Sequence, residues 1–427
     1  MVTYGGDEVN ALVFDMGSTS TRVGFAGEDA PKATFPTSYG FDPTTNQYYF
    51  GDTQLNIWRP NVEIKNPMQN GLINDWEAVE HIWQAAYNDM LRVQSSEHPL
   101  LCTEPAWNTP ENREKMMQLA FENFDVPAFY VAKDAVMTAF SVGRATGLVL
   151  DSGGSITSAI PVYDGYVLKK GILHQPIGGD ILTQQMREYL KNELHYNVTP
   201  LYKIASKKSI AAGELPQIKL RDRPNTTTSF EEYHISKTIH EFKETVSQVS
   251  EISYDENLMS QRPQKPFEFP DGFNNSFGAE RYRIPEIMFN PSYIRVPPIE
   301  PGKETQPIPS LGITKNQLQH TVSVSQLVFN SISACDIDLR PLLFNNVIVT
   351  GGNTLFPGFT ERLSNELPMM VPGSKVKVHA FGNQIERKSS SWLGGSILAS
   401  SETFNQLWIT KKEYEEVGPS IIETKCQ

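Results

Sequence analysis

The pattern of apolar and polar positions predicts two similar β-hairpins that lie far apart in the chain. The apolar run ALVFD ends at Asp15, the small residues MGSTST follow, and a second run extends from Arg22 to Gly27. The same order recurs where GLVLD ends at Asp151, SGGSIT follows and SAIPVYDG returns. Strands joined by turns rich in Gly, Ser and Thr are typical of hairpins. We therefore predict a duplicated domain, with two unrelated hairpins as the alternative.

Between the hairpins the apolar spacing changes to the three-and-four pattern of amphipathic helices. Residues 74–91 predict one helix, with Asn74 or Asp75 as its N-cap. A second helix is predicted from Thr109 as N-cap, with Pro110 at its first position. We interpret the apolar stripes of both helices as faces that pack into the core.

A third glycine turn follows the apolar strand NNVIVT. Gly351 and Gly352 precede a helical pattern, NTLFPGFTERLSNEL. Because glycine lets a ligand approach the backbone closely, this turn is a candidate nucleotide contact. An ordinary strand-to-helix turn is the alternative.

Two segments are predicted to be surface insertions. Residues 293–310 are rich in proline, which favours an extended or disordered chain. Residues 203–229 carry several lysines and arginines and few apolar residues, which indicates a solvated insertion or a basic contact loop.

Composition limits the class of protein. The chain has 427 residues, 39% of them hydrophobic, which predicts a globular protein of two or three domains. Its net charge of −12 disfavours strong direct DNA binding, because affinity for phosphate backbones comes from Lys and Arg. Three widely spaced cysteines disfavour a zinc site or a disulfide framework and indicate a reducing compartment. No apolar stretch is long enough to predict a membrane span.

The two hairpin turns are candidates for binding a phosphate chain. Successive backbone N–H groups in a turn of small residues form a concave anion site. Asp15 and Asp151 end their strands beside these turns, where a divalent cation would have to separate them from phosphates. Mg²⁺ is commonly held by one or two carboxylates and retains water. The sequence therefore predicts a Mg-nucleotide clamped between two domains.

Several long motifs of this sequence resemble those of the actin family. They are DMGSTSTRVGFAGEDAPKATFP, TEPAWNTPENREKMMQLAFE, FGAERYRIPE, GGNTLFPGF and WLGGSILASSETFNQLWITKKEYEEVGPS. The resemblance extends almost from end to end. The opening YGGDEVNALVFD and Trp107 in EPAWN are similar to the fourth class of nuclear actin-related proteins.

The resemblance implies an actin-like ATPase fold, with two duplicated α/β domains around a nucleotide cleft. The first domain would comprise residues 1–142 and 389–427. The second would comprise residues 143–388, with insertions near 203–229 and 293–310.

The resemblance also implies the residues that contact Mg-ATP. Asp15 and Asp151 would hold the metal through water. The phosphate contacts would be Asp15, Gly17, Ser18, Thr19, Ser20, Arg22, Asp151, Gly153, Gly154 and Ser155. The nucleoside contacts would be Gly179, Lys243, Glu244, Gly351, Gly352, Asn353, Thr354, Phe356 and Lys388.

Four departures from actin lie in this candidate site. Arg22 replaces a lysine, and Thr19 replaces a glycine, which we expect to narrow the approach to phosphate. Asp134 and Ser158 replace the glutamine and histidine that organise water for hydrolysis. A carboxylate at 134 would repel the γ-phosphate by about 3 kcal/mol at ~5 Å and an effective dielectric of ~20, unless a raised pKa neutralises it. We expect slow or absent hydrolysis, so the chain would not act as an enzyme.

The resemblance implies a non-filamentous nuclear protein that binds ATP as a structural ligand. It would scaffold chromatin-remodelling and histone acetyltransferase complexes, with actin and a helical segment of another subunit as partners. Direct contact with histones or nucleosomes is left open. The alternative is a filament-forming cytoskeletal ATPase, which the altered segment from Tyr39 to Asp52 and the two insertions disfavour.

Overall fold

The structure is a computed structural model that describes residues 10–296, 306–308 and 312–427. Its strands are β1 (Leu12–Met16), β2 (Ser20–Phe25), β3 (Ala33–Pro36), β4 (Tyr39–Asp42), β5 (Gln47–Tyr49), β6 (Glu63–Lys65), β7 (Met68–Gln69), β8 (Leu72–Ile73), β9 (Leu100–Glu104), β10 (Ala128–Lys133), β11 (Gly147–Ser152), β12 (Thr157–Tyr163), β13 (Tyr166–Val167), β14 (Leu173–Gln175), β15 (Ile204–Lys207), β16 (Ile218–Leu220), β17 (Lys265–Glu268), β18 (Asn274–Phe277), β19 (Val347–Thr350), β20 (Val378–Ala380) and β21 (Ile409–Thr410). Its α-helices are α1 (Gly51–Leu55), α2 (Trp76–Ala85), α3 (Pro110–Gln118), α4 (Asp134–Ser141), α5 (Gly179–Asn192), α6 (Thr228–Val246), α7 (Glu256–Ser260), α8 (Glu280–Glu286), α9 (Lys315–Gln319), α10 (Val324–Ser333), α11 (Arg340–Phe344), α12 (Phe359–Met370), α13 (Gln384–Lys388), α14 (Ser390–Ala399), α15 (Lys411–Val417) and α16 (Ile422–Lys425).

Two six-stranded sheets organise the chain. The first has the order β21–β10–β9–β1–β2–β3, and the second has the order β13–β12–β11–β19–β20 with β14 beside β12. In the first, β1 is antiparallel to β2 and parallel to β9. In the second, β11 is antiparallel to β12 and parallel to β19. The two sheets therefore repeat the same pairing around their hairpins, as the recurring sequence pattern predicts.

Two helices cross between the sheets. A β-carbon at Gly394 of α14 would lie 1.8 Å from the carbonyl oxygen of Met137 in α4, so only glycine permits this approach. The fully buried Trp392 donates its indole N–H to the Val13 carbonyl at 3.0 Å, which ties α14 to β1. These helices fix the position of one sheet relative to the other. The division of the chain at 142/143 and 388/389 remains a prediction.

The predicted helix caps are confirmed. Asp75 accepts the Ala78 N–H at 3.1 Å at the start of α2, and Thr109 accepts the Asn112 N–H at 3.3 Å at the start of α3. Helix α2 continues into a π-helical stretch, Ala86–Leu91, which completes the segment expected to be helical.

The structure adds detail to three of the segments discussed above, one of which it describes only in part. A single 3₁₀ turn, Gly352–Leu355, follows the double glycine, and α12 begins only at Phe359, because Pro357 and Gly358, with φ of +89°, interrupt the helix. The insertion at 203–229 contains the two-stranded ribbon β15–β16, and α6 begins at its end. Of the proline-rich insertion at 293–310, residues 297–305 and 309–310 lie outside the described residues.

Within the described ranges, no helix combines the length and the apolar character that crossing a membrane requires. All three cysteines, Cys102, Cys335 and Cys426, are described and are buried with free thiols.

Candidate functional site

The turns of the two long hairpins share one local geometry. In the turn between β1 and β2, the Gly17 N–H donates to the Ser20 carbonyl at 3.1 Å. In the turn between β11 and β12, the Gly153 N–H donates to the Ile156 carbonyl at 3.0 Å. The recurring glycine therefore closes an equivalent turn in each hairpin and leaves the following N–H groups at the turn's tip.

The two turns also touch each other. The hydroxyl oxygens of Ser18 and Ser155 lie 2.6 Å apart and share a hydrogen bond. A β-carbon at Gly154 would lie 2.0 Å from the Thr19 hydroxyl oxygen. Thr19 thus occupies the space beside the second turn, where we expect it to narrow the approach to a phosphate.

A cavity of about 260 Å³ lies between the turns and is bounded by both sheets. Every residue expected to contact phosphate or nucleoside lines this cavity except Thr354. Thr354 is 1% exposed and donates its hydroxyl to the Gly351 carbonyl at 2.7 Å. It supports the glycine turn from behind, and its side chain does not face the cavity.

Asp15 is held from two directions. The Thr103 hydroxyl donates to one carboxylate oxygen at 2.6 Å, and the Arg22 guanidinium donates to the other at 3.1 Å. Arg22 also donates to the Ser20 hydroxyl at 3.0 Å. The basic residue of the first turn is therefore engaged within its own hairpin.

Two further carboxyl groups face the same cavity. Burial, with the nearby charge of Asp15, raises the pKa of Asp151 to about 6. Burial, with the charge of Asp151, raises the pKa of Asp134 well above its usual range. Asp134 is therefore inclined to keep its proton, which reduces the repulsion expected from a carboxylate at this position.

The arrangement of Asp15 and Asp151 suits a divalent cation. Among the hydrogen bonds of the described residues, none involves the Asp151 carboxylate. The nearby charge of Asp15 also raises the pKa of Asp151. A cation between the two groups would offset that repulsion. Carboxylate oxygens with water are the ligands that Mg²⁺ prefers, so these residues fit the expected metal.

Lys243 of α6 lines the cavity beside the first turn of α5. The residue is 1% exposed, and its ammonium group donates to the Gly179 carbonyl at 2.8 Å and to the Thr183 hydroxyl at 2.9 Å. Burial lowers its pKa to about 8. Lys243 therefore holds the first turn of α5 in place and, with a pKa of about 8, is still mostly protonated at pH 7.

The rim beside Lys243 carries an ionic cluster. Glu244 pairs with Lys388 at 3.0 Å and with the His240 imidazole at 3.4 Å. The hydrogen bond from His240 is the main reason that the pKa of Glu244 falls to about 2. The cluster joins α6 to α13, so the two predicted nucleoside contacts Glu244 and Lys388 lie side by side.

The third glycine turn closes the cavity beneath Asp151. Gly351 has φ of +93°, and a β-carbon there would lie 2.4 Å from both the Asp151 carboxylate and the Ser152 carbonyl. Asn353 donates its amide to the Gly153 carbonyl at 2.7 Å. The third turn thus packs directly against the second hairpin, and its contact with a nucleotide remains a prediction.

The structure adds residues that the sequence did not single out for the site. The Trp107 ring stacks on His174 with centroids 4.4 Å apart, and Trp107 lines the cavity. Burial lowers the pKa of His174, so the imidazole is neutral at pH 7. Trp107 follows β9 of the first sheet and His174 lies on β14 of the second, so only the tertiary structure reveals this contact.

Comparison of the whole chain with known proteins shows the family to which it belongs. The family model described as actin matches residues 6–427. The chain belongs to the actin family. It is 38% identical to actin-related protein 4 of Emericella nidulans, over 99% of this chain and 98% of that relative. It is also 38% identical to actin-related protein 4 of Schizosaccharomyces pombe, over 99% of both chains.

A third relative carries a more specific name. The chain is 38% identical to the protein named SWI/SNF and RSC complexes subunit arp42 of Schizosaccharomyces pombe, over 99% of this chain and 100% of that relative. The comparisons confirm the expected actin-like α/β fold and the resemblance to the fourth class of actin-related proteins.

Proposed function

We propose that this chain is a non-filamentous nuclear actin-related protein that binds Mg-ATP as a structural ligand. In this proposal it scaffolds chromatin-remodelling and histone acetyltransferase complexes together with actin and a helical segment of another subunit. The printed name of the arp42 relative, a subunit of SWI/SNF and RSC complexes, supports the assembly role.

The observation that carries the nucleotide proposal is the pair of matched turns beside Asp15 and Asp151. Backbone N–H groups at the tips of both turns can donate to phosphate oxygens. The two carboxylates would hold a water-coordinated Mg²⁺, which neutralises phosphate charge when bound. The ligand would thereby contact both sheets at once and fix the angle between them.

Asp134 and Ser158, which both line the cavity, support the proposal of slow hydrolysis. A protonated Asp134 tolerates a nearby phosphate, but it cannot both donate and accept as the amide of a glutamine does. Ser158 lacks the imidazole that could accept a proton near neutral pH. The site is therefore suited to hold ATP without turning it over.

The proposal excludes a membrane partner and strong direct DNA binding. The net charge of −12 supports the latter exclusion, because phosphate backbones attract basic surfaces. Contact with histones or nucleosomes would come through the assembled complex or through this chain itself.

The decisive experiment measures nucleotide retained by the purified protein. Wild-type protein should release ATP and Mg²⁺ when it is denatured after extensive washing. The double variant Asp15→Ala, Asp151→Ala should release little of either. The matched control is Asp29→Ala, Asp222→Ala, in which both carboxylates are exposed. Equal retention by all three proteins would refute the proposal.

A further inference from the structure

A basic β-ribbon lies outside the candidate site. It consists of β15, β16 and the loop between them, and we name it the basic ribbon. Residues 203–223 carry six basic and two acidic side chains, whereas the whole chain has a net charge of −12. None of these residues, all of which the structure describes, lines the cavity. The ribbon is therefore a local reversal of the charge of the protein.

Contacts near the tip of the basic ribbon hold it in one orientation. The Gly213 N–H donates to the Asn274 carbonyl at 2.8 Å. Lys207 pairs with Glu268 at 2.6 Å. The surface is therefore already formed, which lowers the ordering cost that a partner has to overcome.

The outer edge of β16 has no neighbouring strand among the described residues. The Gln217 carbonyl accepts the Lys208 N–H at 3.0 Å, and the Arg221 N–H donates to a carbonyl at the start of β15 at 2.7 Å. Backbone groups that face one neighbour alternate with groups that face the other side. The N–H and C=O groups of Ile218 and Leu220 therefore point outward.

The side chains of β16 give this edge a basic face and an apolar face. Lys219 and Arg221 project to one side and Ile218 and Leu220 to the other, because successive side chains of a strand alternate. Leu220 is 54% exposed. Charged residues alone would protect an edge strand from pairing, but an exposed leucine between them adds apolar surface that favours it.

The basic side chains at this edge are available to a partner. Among the ion pairs of the described residues, none involves Lys208, Lys219 or Arg221. DNA phosphates would use these cations but neither the outward backbone groups nor Leu220. An extended acidic peptide would use all of them.

We propose that the outer edge of β16 binds an extended segment of a partner protein as a third strand of the basic ribbon. In that segment acidic residues alternate with apolar residues, to match the two faces of β16. Main-chain hydrogen bonds supply affinity in such a strand addition, and the alternating side chains supply specificity. The inference goes beyond the proposed function and does not depend on nucleotide binding.

The first test measures fluorescence anisotropy of a short fluorescein-labelled peptide in which glutamate and valine alternate, mixed with the full chain at low salt. The control peptide has the same composition, with its glutamates and valines in two separate blocks. The alternating peptide should bind about tenfold more tightly. Equal affinity for the two peptides would show that charge alone attracts them and would overturn the proposal.

A charge reversal tests the basic face. Lys219→Glu should weaken binding of the alternating peptide by about tenfold at low salt. The matched control is Lys412→Glu on α15, whose side chain is 83% exposed, and it should bind as the wild type does. An equal loss in both variants would assign the attraction to the overall charge of the protein and refute the site.

A proline substitution tests the main-chain hydrogen bonds. Proline is tolerated in an edge strand where its missing N–H faces solvent, so Leu220→Pro should fold. It should bind the alternating peptide about fivefold more weakly than Leu220→Ala, which keeps the N–H. If the two variants bind equally, the peptide is not added as a strand.

Hydrogen exchange of the wild type gives the same answer without a substitution. The amides of Ile218 and Leu220 should exchange rapidly in the free protein and slowly with the alternating peptide bound. The Arg221 amide, which already donates across the ribbon, should change little. Unchanged exchange at Ile218 and Leu220 in the saturated complex would contradict the proposal.

A short DNA duplex is the competing ligand. It should bind the full chain more weakly than the alternating peptide does at the same salt concentration. Tighter binding of the duplex that is lost in Lys219→Glu would identify the basic ribbon as a phosphate-binding surface and refute the peptide site.

Discussion

The hydroxyl groups of Ser18 and Ser155 share a hydrogen bond of 2.6 Å although the residues are 137 positions apart in the chain. Each serine lies at the tip of an equivalent hairpin turn. Their contact brings the carboxyl groups beside the turns, Asp15 and Asp151, to the same cavity. Burial and the nearby charge of Asp15 make ionisation of Asp151 costly there.

Asp151→Asn should stabilise the nucleotide-free protein at high pH. The pKa of Asp151 is about 6 in the folded protein, against an ordinary value of 3.8, so the folded state binds more protons between these values. The free energy of unfolding must therefore fall as pH rises through this range. Asparagine removes the ionisable group. The variant should be more stable by up to about 3 kcal/mol at pH 8 and nearly equal to the wild type at pH 4.

Urea unfolding at pH 4, 6 and 8 without Mg²⁺ or nucleotide measures this difference. The exposed Asp29→Asn serves as the control and should follow the wild type at every pH. A variant at Asp151 that is less stable than the wild type at pH 8 would show that its carboxylate is not destabilising.

Arg113→Met should strongly destabilise the protein. Glu104 is fully buried and accepts from Arg113 at 3.0 Å and from Lys133 at 2.6 Å. Arg113 also contacts Glu423 and the Cys426 carbonyl. Loss of Arg113 leaves Lys133 as the remaining partner of the buried Glu104 and removes a partner from Glu423 and from the Cys426 carbonyl, at a cost of about 3 kcal/mol or more in the free energy of unfolding.

The control for this prediction is Arg295→Met, which removes an exposed ion pair and should change stability by less than about 1 kcal/mol. A loss in Arg113→Met no larger than that of the control would contradict this prediction.

The protein should remain in the supernatant under salt and Mg-ATP conditions that polymerise actin. The segment from Tyr39 to Asp52 packs against the rest of the chain, with Tyr49 beside Phe230 and Asp52 paired with Lys237. Tyr48 stacks on His81 with centroids 4.1 Å apart, and the Tyr39 hydroxyl donates to Asp75 at 2.7 Å. A segment held in this way is not free to insert into a neighbouring subunit. Pelleting with filaments visible by electron microscopy would support the cytoskeletal alternative.

ATP should raise the melting temperature and strengthen assembly with partner subunits, with no turnover required. A ligand that binds only the folded state adds about 4 kcal/mol at a thousandfold excess over its Kd. The pair Asp134→Gln, Ser158→His should restore hydrolysis, leave partner binding unchanged at first and weaken it as ADP accumulates. Co-purification of partners in ATP, in ADP and in a non-hydrolysable analogue measures this dependence. Assembly that needs turnover would point to an enzymatic role.

Much of the fold was predictable because local patterns carry it. Asp75 and Thr109 cap their helices as side-chain chemistry requires, and the glycines at 17 and 153 close equivalent turns. The contacts that could not be predicted are tertiary contacts between distant segments of the chain. No spacing in the sequence indicates that Trp107 stacks on His174, or that Phe230 enters a pocket formed by Leu55 and Val62, because these contacts join segments whose local patterns are independent.

Thr354 shows the same limit within a matched motif. Its place in GGNTLFPGF suggested a ligand contact, yet its hydroxyl points inward to Gly351. A motif identifies which turn forms the wall, whereas the backbone path decides which side chains face the cavity.

The glycine at 394 has a consequence for how the two sheets can move. A β-carbon at this position would lie 1.8 Å from the Met137 carbonyl oxygen, so α14 and α4 are closer here than any residue with a side chain would allow. The sheets can rotate about this crossing but cannot approach further there, so any change in cleft width is a change of angle. A small rotation of one sheet about the crossing therefore produces a larger displacement at the far ends of the sheets, so the crossing acts as a hinge.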